Sequence, residues 1–331
     1  MCYAKFIEGH RNGDGCMAYI NIIKQLINYL TNNFQKYGDI FGITPHIDMD
    51  PLKTLSNAKE TSIFFSANTL MNAWRGILLD FFYSKKVEKT KVDNYKEALT
   101  HNELLGMLKK NITKYSDIIN RVHNISRNIS SNIGFIFYDK TLGIELYQLG
   151  AETVFLNNNV FLDFIMKTGA KTLIVYDILD YLALTILKDQ KNIDVEIEYF
   201  IDYIARHLDK FKSPTKELKF IIQEPCILMR RLRKTDLVSK LNNIRGLNIN
   251  RHTLSGELTV CCGEFTWLVN PSITINNAIE RLLSLSHYGP RDILVVCPNA
   301  LYIFELAKKF GGNKLKDVNI IEISEILLNI I

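Results

Sequence analysis

The sequence predicts an α/β protein made of two related units behind a short helical segment. Three observations predict it. Short apolar runs read as buried strands: "SIFF" (62–65), "GFIFY" (134–138), "KTLIV" (171–175), "LKFII" (218–222) and "RDILV" (291–295). Stretches with apolar residues at helical spacing alternate with them, which is the pattern of an α/β fold. Residues 141–185 also lie over residues 261–305 at a constant offset of 120 without a gap. Gly143 falls on Gly263, Asn157 on Asn277, Gly169 on Gly289 and Val175 on Val295. Such self-similarity is the signature of a duplicated unit. Finally, 331 residues with 47% hydrophobic content suffice for about two domains with real cores.

Taken in order, residues 17–37 read as an amphipathic helix and 38–60 as a proline-bearing extended arm. The strand at 62–65 precedes a helix at 69–83, and two polar helical stretches fill 92–130. After the strand at 134–138 come the first repeat copy and a linker at 188–217, which contains a helix and ends at Ser213-Pro214. The second copy opens with the strand at 218–222, whose counterpart is the strand at 62–65. The expected division is a helical segment and arm over 1–60, a first unit over 61–190 and a second over 191–331.

A net charge of +5 and a pI near 8.7 fall short of the dense basic footprint of a nucleic-acid binder. The opening "MCYAKFIEGHRNGDG" lacks the apolar core of a signal peptide. The most apolar helical stretch carries Lys24 and several asparagines, so no membrane span is expected. The expectation is a soluble, cytoplasmic chain. "NGDG" (12–15) reads as a turn, because no strand precedes it.

In a reducing compartment a cysteine cluster points to metal or catalysis rather than disulfides. The six cysteines are Cys2, Cys16, Cys226, Cys261, Cys262 and Cys297. Thirty-four residues separate Cys226 from Cys261, and thirty-four separate Cys262 from Cys297. Cys226 and Cys297 each follow a strand and precede a helix; the helix after Cys226 is expected over "ILMRRLRKTDLVSKL", and Pro298 marks the start of the other. Ligand sites of open α/β sheets form at such junctions, where a helix N-terminus favours a thiolate. Four thiolates from three junctions suit a [4Fe–4S] cluster or a structural zinc. Gly263, Pro298 and Arg230 complete the expected surroundings. The run Arg230, Arg231, Arg233, Lys234 reads first as a solvated face, and second as a charge that stabilises an anionic centre or docks an acidic partner.

The pattern Cys-x34-Cys-Cys-Gly-x33-Cys-Pro resembles the cysteine-rich "CCG" domain, with "EPCILMR", "CCGEF" and "ILVVCPNA" as its local matches. That domain occurs in heterodisulfide reductase subunits B and D and in the iron–sulfur subunits of glycolate oxidase and related flavin-linked enzymes. The resemblance covers residues about 60–331 and implies two CCG-type α/β units. It implies one [4Fe–4S] cluster, or alternatively zinc, held by Cys226, Cys261, Cys262 and Cys297. It further implies an electron-transfer subunit with flavoprotein or ferredoxin-like partners, membrane association arising only through those partners. Two alternatives follow: a thiol–disulfide reductase, or a zinc-holding structural subunit. The family's frequent fifth cysteine is Ala300 here, which weakens the disulfide chemistry.

The first copy is degenerate. Thr141-Leu142 replaces the cysteine doublet, Asp177-x-x-Asp180 replaces the last cysteine motif, and the first cysteine falls near Asn68. Asp177 and Asp180 are read mainly as packing residues, with Asp177 a helix N-cap, and only secondarily as hard-metal ligands. Cys2 and Cys16 fit no ferredoxin spacing, so residues 1–60 are read as the remnant of such a module.

Overall fold

The computed structural model describes residues 13–264 and 266–331. Cys2 and the Cys16 side chain lie outside what it describes, and with them the reading of a ferredoxin remnant. Helix α1 (Gly13–Tyr37) leads the chain, and a one-turn helix α2 (Asp50–Lys53) follows. The first unit is β1 (Thr61–Ser66), α3 (Asn68–Ser84), α4 (Val92–Thr100), α5 (Asn102–Ile129), β2 (Gly134–Tyr138), α6 (Ile144–Gln148), α7 (Glu152–Leu156), α8 (Asn159–Thr168), β3 (Thr172–Val175), α9 (Ile178–Lys191), β4 (Glu196–Tyr199) and α10 (Phe200–Ala205). The second is β5 (Leu218–Gln223), a π-helical turn (Ile227–Arg231), α11 (Leu237–Asn242), β6 (Leu247–Asn250), α12 (Pro271–Tyr288), β7 (Asp292–Val295), α13 (Pro298–Gly311), β8 (Asn319–Glu322) and α14 (Ile323–Ile330).

Each unit is a four-stranded, wholly parallel sheet. The strand orders are β2-β1-β3-β4 and β6-β5-β7-β8, one topology used twice. The central strands are buried on both faces, as helix-covered parallel strands must be: Ile63, Phe64 and Phe65 of β1, and Ile293, Leu294 and Val295 of β7, are each fully buried. The offset of 120 holds to the residue where the signal is densest. Strand β3 maps on β7 and α9 on α13, and the residue before each helix is its N-cap, Asp177 in one and Cys297 in the other. Gly143 and Gly263 share a positive φ, +77° and +99°, which glycine adopts without penalty.

Three readings change. Residues 38–60 are no loose arm, because Ile40, Phe41, Ile43, Ile47, Met49 and Leu52 are all buried. The buried Asp39 carboxylate accepts the N–H groups of Phe41 and Thr44, both at 2.8 Å. The stretch at 188–217 contains β4, which pairs with β3 and completes the first sheet, so that unit runs on past residue 190. Strands β6 and β8 do the same for the second sheet. The helix expected after Cys226 is broken: a π-helical turn ends at Arg231, Arg233 takes a left-handed φ of +53°, and α11 begins only at Leu237.

The units meet through packed helices. Helix α3 packs on α13 and α12, and α5 packs on α14. The N-terminal segment also reaches across: the Phe41 and Trp267 rings stack with centroids 5.7 Å apart. The Tyr95 hydroxyl donates to the Leu268 carbonyl at 2.9 Å. The loop that leaves the cysteine doublet is therefore held by the first part of the chain.

Candidate metal centre between the two units

The site is built at the carboxyl ends of β5 and β7. Cys226 lies three residues past β5, at the start of the π-helical turn. Cys297 caps α13, with Pro298 at the first helical position. The Cys261–Cys262 loop turns at Gly263, and a β-carbon there would sit 3.2–3.3 Å from Thr274. Thr274 Oγ1 donates to the Gly263 carbonyl at 3.2 Å.

The four thiols are brought together. The Cys226 thiol donates to Cys261 Sγ at 3.4 Å, and the Gly263 N–H donates to the same sulfur at 3.4 Å. Cys226, Cys262 and Cys297 line one cavity, together with Ile178 of the first unit. The Cys261 thiol is held well below the usual range, because it collects hydrogen bonds from Cys226, Cys262 and the N–H groups of Gly263 and Glu264. Cys226 and Cys262 are pushed up, first by donating to Cys261 and then by burial. Burial raises Cys297, with Asp177 and Glu264 adding to it. The Arg230 guanidinium works the other way on Cys226, favouring its thiolate. Arg231 lies over the Tyr147 ring at 5.1 Å, and Lys234 pairs with Asp202 at 2.7 Å. These two basic side chains therefore have partners within the protein.

Four soft thiols match zinc or an iron–sulfur cluster in kind and number. One pair already stands near the spacing of a single ion. Zinc–sulfur bonds of about 2.3 Å set tetrahedral ligands roughly 3.8 Å apart, close to the 3.4 Å between Cys226 and Cys261. The cavity has a volume of about 20 Å³, room for one water-sized body. A cubane has an iron at each of four corners and needs the thiols to spread. Among the described residues no three His, Cys, Asp or Glu side chains already stand in the geometry of an ion's ligands. The Asn299 amide donates to Cys297 Sγ at 3.7 Å.

The same place in the first unit holds hydrogen bonds instead of thiols. Thr69 lies three residues past β1, as Cys226 lies three past β5. Its hydroxyl donates to Asp177 Oδ2 at 3.0 Å, and Asn68 Nδ2 donates to Asp177 Oδ1 at 2.9 Å. Asp177 also caps α9 by accepting the Leu179 N–H at 2.9 Å. Asp180 accepts the Ser66 N–H and hydroxyl at 2.9 and 2.6 Å. Burial raises both carboxyls, and Asp177 adds to the rise at Asp180. The protein's own donors occupy both aspartates, and the N-cap reading of Asp177 holds.

A buried charge network at the unit boundary escaped the sequence reading. Arg75 of α3 is 1% exposed. It forms an ion pair with Glu145 and donates to Asn72 Oδ1 at 2.8 Å and Asn299 Oδ1 at 3.2 Å. Next to it Glu264 is pushed up to about 8 by burial, and Tyr302 donates to it at 2.9 Å. The available signal was the polar stripe Asn68, Asn72, Arg75, at helical spacing in an otherwise apolar helix.

Compared with protein-family models, curated proteins and solved structures, the chain matches none of them. No described helix is long and apolar enough to cross a membrane.

Proposed function

We propose that the chain is an electron-transfer subunit of a flavin-linked or heterodisulfide-reductase-like oxidoreductase complex. Its second unit would hold one [4Fe–4S] cluster through Cys226, Cys261, Cys262 and Cys297, as its likeness to the CCG domain implies. The supporting observation is the convergence, at two strand-to-helix junctions and one loop, of thiols 35 and 36 positions apart in sequence. When bound, such a cluster supplies one-electron chemistry. The chain's own contribution is to orient and to insulate. Backbone N–H groups favour the thiolate of Cys261, Arg230 offsets negative charge beside Cys226, and Ile178 and Ala300 line the cavity. Partners would be flavoprotein or ferredoxin-like subunits.

A second reading is a single zinc ion with a structural role. The 3.4 Å sulfur spacing and the small cavity favour it. Thiol–disulfide reductase chemistry has less support, because Ala300 stands where the family's fifth thiol would be.

Anaerobic purification with iron, zinc and acid-labile sulfide analysis separates the readings. Iron and sulfide in about equal amounts, lost on Cys262→Ser, is the expected result. Zinc without iron overturns electron transfer and leaves the structural reading.

A further inference from the structure

The geometry points to a second site, in the first unit, for a small hydroxylated molecule that carries one anionic group. A cleft of about 580 Å³ opens at the carboxyl end of β2, within the size range of small-molecule sites. It is lined by Tyr138 and Lys140 from the strand end, Asn157, Asn158 and Asn159 from the start of α8, and Phe34 from α1. The carboxyl edge of a parallel sheet is where open α/β proteins place ligands. Thr141, the first unit's counterpart of Cys261, lies on the wall as well.

Three features mark it as built to receive a ligand. Among the described residues Lys140 is its one charged lining residue, and no aspartate or glutamate lines it. The adjacent Asp139 is already paired, with Lys53 at 2.8 Å. The Lys140 stem lies across Gly38, close enough that a β-carbon there would meet its Cγ and Cδ at about 2.5 Å. The ammonium is thus held at the cleft by a packed stem rather than left to wander.

Tyr138 is 4% exposed. Its ring is fixed against Phe161 and Phe164, at 5.2 and 4.9 Å between centroids. No described residue hydrogen-bonds its hydroxyl, which belongs to the cleft wall. That hydroxyl is left to donate to and accept from whatever occupies the cleft. The Asn158 carboxamide oxygen is engaged by the Phe161 N–H, which leaves its NH₂ to the cleft. Asn157 and Asn159 offer two further amides.

A lone ammonium acts as a point charge for phosphate or carboxylate. Three amides and a phenol donate to and accept from hydroxyls. The ligand class is therefore a polyol or sugar bearing one phosphate or carboxylate. The inference stands apart from the cysteine centre, since none of Cys226, Cys261, Cys262 and Cys297 lines the cleft.

Calorimetric titration of the full chain with ribose 5-phosphate, gluconate and neutral ribose tests it. At least one anion is expected to saturate a single site, with ribose at least about tenfold weaker, the difference one charge-assisted contact makes. The phosphate and carboxylate arms tell the two sources of charge apart. Lys140→Met keeps the stem over Gly38 and removes the charge. It should weaken the anion about tenfold or more with the melting temperature unchanged. Tyr138→Phe should weaken it severalfold. Failure of both anions to bind below about 10 mM overturns the site, as does unaltered binding by Lys140→Met.

Discussion

Arg75 of the first unit donates to Asn299 Oδ1 of the second at 3.2 Å, and the Asn299 amide donates in turn to Cys297 Sγ at 3.7 Å. The cysteine-free unit thus reaches a thiol of the other through one buried guanidinium. Removing that charge leaves Glu145 buried and unpaired, and Glu145 Oε2 already lacks a partner. Arg75→Leu should therefore destabilise the chain by about 3–5 kcal/mol. Arg75→Leu with Glu145→Leu should recover part of the loss. Urea unfolding of the single and double variants checks this; a double variant no better than the single would refute the ion pair as the cause.

The metal-free thiols should react in a definite order. Cys261 is the sulfur held below the usual thiol range, and it is only partly buried. Cys226 is likewise only partly buried but pushed up, and Cys262 and Cys297 are both buried and pushed up. The thiolate is the nucleophile. Brief iodoacetamide treatment at neutral pH should modify Cys261 first, with Cys297 among the last, as peptide mass spectrometry would show. Cys297 labelled before Cys261 would contradict the hydrogen-bond pattern.

The repeat and the meeting of the cysteines were legible because both are written in local signals. Glycines kept phase at an offset of 120, and strand-to-helix junctions carried the thiols. The edge strands were not legible. Strand β4 reads "EIEY", with Glu196 exposed and only Tyr199 buried, so no apolar run announces it. Strand β8 has the same half-covered character. The break after Cys226 was hidden as well, because "ILMRRLRK" has good helix formers throughout while the fold imposes a left-handed residue at Arg233. The Arg75 stripe was visible, but its partner Asn299 lies 224 residues away, and nothing local names it.

Gly263 and Gly143 test whether the repeat is structural at its turn. Both have positive φ, where a β-carbon strains the backbone by about 1–3 kcal/mol. At Gly143 that carbon would also meet the Phe34 ring at 2.6 Å, whereas at Gly263 it would meet Thr274 at 3.2 Å. Gly143→Ala should therefore cost more stability than Gly263→Ala. Gly263→Ala should have the larger effect on metal content, since it moves the neighbouring Cys262. Denaturation midpoints and metal analysis of the two variants measure both; the reverse order in stability would show that Phe34 yields.

His252 gives the fold a pH dependence whose sign is fixed by its partners. It is 4% exposed. Nδ1 faces both the Leu254 N–H at 2.9 Å and Arg281 Nη1 at 3.2 Å, so it acts as an acceptor. Nε2 then carries the proton toward Ser284 Oγ at 2.8 Å. The Tyr288 ring packs edge-on at 4.9 Å, and Arg281 is itself anchored by Gln223 at 2.8 Å. Burial, and then the Arg281 charge, hold this imidazole below its ordinary value of 6.5. The unfolded chain consequently binds a proton at His252 more readily than the native one. Stability from this group is complete above pH 6.5 and is lost as the pH falls from there through the lower native value. His252→Gln keeps an acceptor and a donor but cannot titrate. Its stability should change less between pH 7.5 and 5.5 than that of the parent chain, as read by urea unfolding at each pH, and an identical slope would remove His252 as the source.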